Sequence, residues 1–222
     1  MPRLLMLSVA AALTAACSER VSAASATTRA ADGLKIVALG DSLTSGHGIA
    51  RGQAYPALLE QSLRESGLPF AVVNHGVSGD TTAGGVRRLR AVLDERPQIL
   101  IVALGANDGL RGTPVAAVRR NLEEIIETAQ ARRVSVLLCG MDALPLYRWQ
   151  YTLDFHRIFP SLAERYGVPL VPFHLRGVFG NEELLQRDMI HPNAAGARVI
   201  AANIWPYLQR LAAGLVVAGD RS

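Results

Sequence analysis

The sequence contains few cysteines, lysines and aromatic residues, and each shortage excludes a class of protein. Its 222 residues include two cysteines, Cys17 and Cys139, which are too few for a disulfide framework. Lys35 is the only lysine, so the net charge of +4 comes from arginines that are scattered along the chain. Aromatic residues make up 5% of the chain, too few to stack successive bases of a nucleic-acid strand. We therefore expect no nucleic-acid partner.

Long hydrophobic runs are also missing. The apolar run near the N-terminus, residues 4–16, is shorter than the roughly 20 residues that a membrane-spanning helix needs, so we expect no transmembrane span. It follows Arg3 and precedes a stretch of small residues, which is typical of a secretory signal peptide. We predict a signal peptide at residues 1–26 and an exported protein, periplasmic or secreted.

Cys17 suggests an alternative form of export. The segment before it is similar to the lipobox of bacterial lipoproteins, although Thr14 stands where that pattern usually has leucine. A lipid anchor at Cys17 is therefore a second possibility for the mature N-terminus.

The rest of the chain has the composition of a folded protein. Half of the residues are hydrophobic and 19% are charged, a balance that excludes intrinsic disorder. The length fits one domain, which we place at residues 34–211, between a linker at 27–33 and a tail at 212–222 that lacks an amphipathic pattern. We expect a monomer.

Short apolar runs alternate with longer amphipathic runs through this domain. The predicted strands are apolar enough to be buried on both faces: Lys35–Leu39, Ala71–Asn74, Ile99–Leu104, Ser135–Cys139 and Leu170–Val171. The predicted helices have apolar residues every three or four positions: Tyr55–Ser66, Thr82–Glu95, Pro114–Arg132, Tyr151–Tyr166 and Ala194–Leu211. This alternation predicts an α/β fold, a three-layer α/β/α sandwich around a mostly parallel five-stranded sheet of the flavodoxin-like kind.

Several catalytic and binding motifs are absent. The chain has no Gly-x-Ser-x-Gly elbow, which disfavours a standard α/β-hydrolase. It has no His-Glu-x-x-His motif, and its histidines are dispersed, so we predict no metal. It also lacks the Gly-x-Gly-x-x-Gly and Walker patterns, which argues against a nucleotide-binding protein. We expect no cofactor.

Candidate functional residues follow three predicted strands, where sheets of this kind bind ligands. Ser42 follows the first strand, Gly79 the second and Asn107 the third, and Asp188 precedes His191 by three residues further along the chain. Each could simply form a turn or cap a helix. Together they supply a nucleophile, a base, an orienting carboxylate and oxyanion donors, which are the groups that acyl transfer requires.

Four ordered segments resemble the motif blocks of the SGNH, or GDSL, hydrolase family. They are Gly40-Asp41-Ser42-Leu43, Gly79-Asp80, Gly105-Ala106-Asn107-Asp108 and Asp188-Met189-Ile190-His191-Pro192. The resemblance extends from about residue 34 to residue 211, and the run from Asn107 to Gly112 is most similar to the bacterial arylesterase and acyl-thioesterase (lysophospholipase) branch.

The resemblance implies a role for each of these residues. Ser42 would be the nucleophile, His191 the general base and Asp188 its orienting carboxylate. The oxyanion would be held by the backbone N–H groups of Ser42 and Gly79 and by the side chain of Asn107. Asp41, Asp80 and Asp108 belong to the motifs, but we expect them to hydrogen-bond the loops that contain them.

We expect two loops to form the walls of the substrate-binding site. Leu110 would face the site on one side, and Leu144 and Pro145 on the other. Many relatives have paired prolines and Tyr-Gly in this second segment, and its different sequence here leaves the preferred acyl length open. These apolar residues favour acyl or aryl substrates.

The resemblance implies a secreted serine esterase or thioesterase that hydrolyses small acyl or aryl esters or thioesters. A carbohydrate O-acetylesterase is an alternative that the same four blocks could serve. A ligand-binding protein without catalytic activity is a third possibility, which the four filled catalytic positions disfavour.

Overall fold

Five parallel strands form the centre of the structure, a computed structural model that describes residues 33–143 and 148–219. The strands are β1 (Leu34–Gly40), β2 (Phe70–Gly76), β3 (Ile99–Ala103), β4 (Ser135–Cys139) and β5 (Leu170–Val171). They lie in the order β2-β1-β3-β4-β5, so that Val37 of β1 is opposite Val73 on one side and Leu100 on the other. The predicted five-stranded sheet is confirmed.

Helices cover both faces of this sheet. They are α1 (Ser42–Ser45), α2 (Tyr55–Glu65), α3 (Thr82–Asp94), α4 (Ala106–Arg111), α5 (Val115–Ala131), α6 (Trp149–His156), α7 (Ile158–Tyr166) and α8 (Ala194–Gly219), with 3₁₀ turns at Arg51–Gln53 and Glu182–Leu184. In β1, Ile36 and Ala38 pack on the side of α2 and α8, while Val37 and Leu39 pack on the side of α3, α5 and α7. The predicted three layers are therefore confirmed.

One predicted helix is two helices. The apolar spacing of residues 151–166 predicts a continuous helix, but α6 ends at His156 and α7 begins at Ile158. Pro160 explains the break, because it has no N–H to donate to the carbonyl of His156 and its ring would clash with that carbonyl in a continuous helix.

The prediction that every strand is buried on both faces is wrong for β2. Only Phe70 of this strand is buried, and its other residues are exposed or half-buried. Because β2 is an edge strand that pairs with β1 alone, its position in the sheet order determines its exposure.

The C-terminal helix is longer than the sequence prediction. Helix α8 continues past Leu211 to Gly219, whereas a tail was expected from residue 212. Ala212 is buried, and Leu215 and Val216 pack against the same core as α2. These residues extend the stripe of Ile204 and Leu208 at helical spacing, which docks the added turns.

The N-terminal predictions lie outside the described residues. These are the signal peptide at 1–26, the anchor at Cys17 and most of the linker at 27–33. In the described part of the chain, no helix has the length and apolar character needed to cross a membrane.

Candidate active site

The turn that follows β1 presents Ser42 at the carboxyl edge of the sheet. Asp41 caps α1, since its Oδ1 accepts a hydrogen bond from the backbone N–H of Leu43 at 3.0 Å. Gly40 makes the tight turn possible, because a Cβ atom at that position would lie 1.9 Å from Oγ1 of Thr44. The site lies where the sheet order reverses between β1 and β3, which is where sheets of this topology bind ligands.

Ser42, His191 and Asp188 form a continuous hydrogen-bonded array. His191 Nε2 lies 3.1 Å from Ser42 Oγ, and His191 Nδ1 lies 2.6 Å from Asp188 Oδ2. The other oxygen of Asp188 accepts the backbone N–H groups of Ile190 and His191, each at 3.0 Å. These hydrogen bonds hold the pKa of the Asp188 carboxyl well below its usual range. A charged carboxylate, an imidazole and a hydroxyl therefore stand in the order that nucleophilic catalysis requires.

Ser42, Gly79 and Asn107 come from the segments that follow three different strands, and they line one cavity. Ser42 is the first residue of α1, so its N–H has no acceptor within that helix. Gly79 has a φ of +79°, a backbone conformation that favours glycine. Asn107 Nδ2 donates to the carbonyl of Asp80 at 2.9 Å, which orients the amide and leaves its second hydrogen for another acceptor.

Asp41 and Asp80 hydrogen-bond the loops that contain them, as predicted, whereas Asp108 binds Thr82 at the start of α3 instead of its own loop. Asp108 accepts both the N–H and the hydroxyl of Thr82 at 2.8 Å, and burial raises the pKa of its carboxyl. Asp80 accepts the N–H of Thr81 at 3.0 Å. Burial also raises the pKa of Asp41, to about 7, so this carboxyl is partly protonated at neutral pH.

The cavity beside Ser42 has a volume of about 600 Å³ and mainly apolar walls. The apolar residues that line it are Leu43, Ala106, Leu110, Met141, Ala143, Phe173, Leu175, Val178, Phe179, Leu185, Met189 and Ile190. Leu110 thus lies where the sequence placed it. Leu144 and Pro145 lie outside the described residues.

The sequence analysis missed one wall of this cavity, which comes from the loop after β5. Phe173, Leu175, Val178 and Phe179 all belong to this loop. Four apolar residues in a loop that follows a parallel strand are an unusual composition for a surface loop, and this signal could have identified the wall.

Two further residues near the site were not predicted. The ring of His47 lies 4.5 Å from that of His191, centroid to centroid. Arg88 binds the carboxylate of Asp80 and two backbone carbonyls at the ends of β1 and β2. Both contacts join segments that are distant in sequence, so no local pattern could reveal them.

The predicted absence of a metal stays a prediction. Across residues 33–143 and 148–219, no group of three or more histidine, cysteine or carboxylate side chains is arranged to hold a metal ion. The hydrogen-bonded array at Ser42 needs no metal for acyl transfer.

The chain is similar to known esterases and acylhydrolases in sequence and in structure. Residues 38–199 match the GDSL-like lipase/acylhydrolase family, a span that includes Ser42, Gly79, Asn107, Asp188 and His191. Over 177 residues, the chain is 38% identical to the esterase TesA of Pseudomonas aeruginosa, with 79% of this chain and 88% of the relative covered. Over 159 residues, it is 37% identical to an arylesterase of Vibrio mimicus, with 71% and 80% covered.

A third relative and a solved structure extend the comparison. The thioesterase 1/protease 1/lysophospholipase L1 of Escherichia coli K12 is 36% identical over 186 residues, which cover 83% of this chain and 88% of the relative. A crystal structure of TesA superimposes with a TM-score of 0.77 at 38% identity and covers 80% of this chain and 99% of the other. With the matched family spanning most of its length, the chain belongs to the GDSL-like lipase/acylhydrolase family of serine hydrolases.

Proposed function

We propose that the protein hydrolyses acyl or aryl esters, and the corresponding thioesters, through an acyl-enzyme on Ser42. The observation that carries this proposal is the array from Asp188 through His191 to Ser42, which opens on an apolar cavity of about 600 Å³. Esterase, arylesterase and thioesterase names among the relatives support the same class of substrate.

In the first half of the reaction, Ser42 Oγ attacks the acyl carbonyl carbon while His191 Nε2 takes the hydroxyl proton. The carbonyl oxygen becomes an oxyanion in the resulting tetrahedral intermediate. When the intermediate collapses, the bond to the leaving group breaks and His191 gives its proton to the departing alcohol, phenol or thiol. The acyl group remains on Ser42.

In the second half, water attacks the acyl-enzyme and His191 takes a proton from it. Collapse of the second intermediate breaks the bond to Ser42 Oγ, which regains a proton from His191. The product is a carboxylic acid. Asp188 orients His191 for both halves, because its Oδ2 lies 2.6 Å from Nδ1.

Three donors would stabilise the oxyanion: the N–H groups of Ser42 and Gly79 and the amide of Asn107. Removing one donor of this kind typically costs about 3 to 4 kcal/mol of transition-state stabilisation. The donors act on charge that develops only during the reaction, so they lower the barrier rather than tighten substrate binding.

The cavity walls favour an acyl chain or aryl group over a carbohydrate acetate. An acetyl group would leave most of the volume beside Phe173 and Val178 empty, whereas a longer chain would bury its apolar surface there. Acyl length therefore separates the proposed function from an O-acetylesterase.

The test is the hydrolysis of 4-nitrophenyl esters from acetyl to palmitoyl by the chain without residues 1–26. Ser42→Ala is measured in parallel, with Ser66→Ala as a matched control at an exposed position at the end of α2. We expect activity that increases from acetyl to butyryl and longer esters, disappears in Ser42→Ala and persists in Ser66→Ala. Activity restricted to acetyl esters would favour the O-acetylesterase. Equal activity of Ser42→Ala and the unmodified chain would refute the acyl-enzyme.

We also propose export, supported by the signal-peptide pattern at residues 1–26. Cell fractionation and mass spectrometry of the expressed full chain test this proposal. Cleavage near residue 26 is expected, and a lipid-modified N-terminal Cys17 would identify the anchored form instead. An uncleaved cytoplasmic protein would contradict export.

Sedimentation of the purified protein tests the predicted monomer.

A further inference from the structure

We propose that Arg88 is a positioning residue that holds the oxyanion donors in place by tying together the loops after β1 and β2. This inference rests on the proposed function, because it concerns the same oxyanion. Arg88 lies on α3 and does not line the cavity. Its effect on the reaction must therefore pass through the residues that it binds.

All three guanidinium nitrogens of Arg88 donate hydrogen bonds. Nε donates to Asp80 Oδ2 at 2.8 Å, Nη1 to the carbonyl of His75 at 2.7 Å and Nη2 to the carbonyl of Gly40 at 2.8 Å. The guanidinium group is rigid and planar, so the relative positions of the three acceptors are set by its geometry. Two of the acceptors are carbonyls at the ends of β1 and β2, and the third is the side chain of Asp80 in the loop between β2 and α3.

The contact with Gly40 acts on Ser42. Gly40 is the last residue of β1 and precedes the nucleophile by two positions. Its carbonyl accepts both Arg88 Nη2 at 2.8 Å and the N–H of Val77 at 3.0 Å. The backbone that leads to the Ser42 N–H is thereby fixed to the loop that contains Gly79.

The contact with Asp80 acts on Gly79 and Asn107. Asp80 directly follows Gly79, and its carboxylate is held by Arg88 on Oδ2 and by the N–H of Thr81 on Oδ1. The carbonyl of the same residue accepts Asn107 Nδ2 at 2.9 Å. Arg88 therefore fixes Asp80, which is the neighbour of Gly79 in the loop and also orients the Asn107 amide.

The charge of Arg88 also matters, because the side chain of Asp80 is only 9% exposed. A carboxylate with so little exposure to solvent is unstable without a charged partner. It also lies near the buried Asp41, whose pKa it helps to raise. Without Arg88, the Asp80 side chain would move toward solvent, which would displace the carbonyl of the same residue from Asn107.

The expected kinetic effect is a fall in kcat with little change in KM, since the oxyanion exists only after the substrate has bound. For Arg88→Met we expect kcat to fall by about 10²-fold, comparable to the loss of one oxyanion donor. Arg88→Lys keeps the charge but cannot make the three-way contact, so we expect it to recover only part of kcat. Arg87→Met is the matched control: Arg87 is exposed on the same helix, and its substitution should change neither constant.

A double-mutant cycle with Asn107→Ala separates positioning from a general structural role. If Arg88 acts through the donors, Arg88→Met costs less in the Asn107→Ala background, where the route through Asn107 is already lost, than in the unmodified chain. A merely structural role would give the same cost in both backgrounds. Urea unfolding at the assay temperature confirms that each variant is folded, and Arg88→Lys replaces Arg88→Met in the cycle if the latter does not fold.

The outcomes distinguish this inference from the proposed function. If Ser42→Ala abolishes hydrolysis but folded Arg88 variants keep kcat, or only raise KM, the positioning role is wrong and the acyl-enzyme stands. Additive costs in the cycle would also overturn it. If Ser42→Ala is fully active, the acyl-enzyme itself is wrong. A fall in kcat with a strongly non-additive cycle supports Arg88 as the residue that positions the donors.

Discussion

Asp188 binds His191 through both of its carboxylate oxygens: Oδ2 lies 2.6 Å from the ring Nδ1 and Oδ1 accepts the backbone N–H at 3.0 Å. Met189 between them has a φ of +59°, which closes the turn tightly enough for both contacts. Because the hydrogen bonds stabilise the charged form, the pKa of Asp188 lies well below its usual range. The pair is therefore preassembled before substrate binds.

Asp188→Asn should lower kcat on the order of 10³-fold, because the amide can no longer orient and stabilise the imidazolium. A lowered pKa means that Asp188 is ionised above its usual titration range, so its charge is constant from pH 5 to 9. We expect the variant to be impaired across this whole range in 4-nitrophenyl butyrate assays. Asp94→Asn, at an exposed ion pair with Arg132, is the control. A variant as active as the unmodified chain at any of these pH values would contradict the assignment.

Asn107→Ala should lower kcat by about 10²- to 10³-fold and leave KM nearly unchanged. The amide would act on the oxyanion, which forms only in the transition state. Steady-state kinetics on one ester give both constants, and thermal unfolding gives a check on folding. An unchanged kcat, or a loss confined to KM, would remove Asn107 from the oxyanion site.

Phe179→Ala should weaken binding of long acyl chains and spare acetyl esters. The side chain of Phe179 is 58% exposed at the cavity, so the folded protein loses little packing when it is removed. A long chain would lose an apolar contact of roughly 1 kcal/mol, which raises KM by about fivefold. Val217→Ala, an exposed residue that does not line the cavity, is the control. Equal effects on acetyl and octanoyl esters would show that the acyl chain of the substrate does not bind beside Phe179.

Asp41→Asn should change how stability depends on pH. In the folded protein burial raises the pKa of Asp41 to about 7, whereas an unfolded carboxyl titrates near 3.8. Between these values the unfolded chain releases a proton that the folded chain keeps, so the stability due to this group is full at low pH and is lost as pH rises through 7. From pH 5 to pH 8 this loss is roughly 2 to 3 kcal/mol.

Urea denaturation of both proteins at pH 5 and pH 8 measures this difference. Between pH 5 and pH 8, the free energy of unfolding should fall by that amount more in the unmodified chain than in Asp41→Asn. Burial also lowers the pKa of His174 to about 4, which makes stability rise with pH below 6.5, but this contribution is present in both proteins and cancels. A pH dependence that is the same in both proteins would show that Asp41 is not the titrating group.

Several features were predictable from the sequence because they depend on local patterns. Apolar runs such as residues 99–104 and 135–139 identify buried strands wherever they lie in the sheet. Asp188 and His191 are three residues apart, so a single turn brings them together. Ser42 and Asn107 each lie within four residues of the end of a strand, and parallel strands direct the residues after them to one edge.

Other features depended on where distant segments lie in space. The exposure of β2 follows from its place at the edge of the sheet, which no run of residues encodes. The break between α6 and α7 is different, because Pro160 lies only four residues after His156 and was a local signal that the apolar spacing obscured. The contact between His47 and His191 joins residues that are far apart in the chain.

By itself, the sequence determined the α/β alternation, the family and the five residues proposed for catalysis, because strand length, helix period and short motifs are properties of neighbouring residues. Only the tertiary structure decided what surrounds them. The apolar wall from the loop after β5 and the bridge from Arg88 to Gly40, His75 and Asp80 exist because the sheet order brings those segments to one edge. Such contacts form between residues that no local interaction connects, so they are set by the packing of the whole domain.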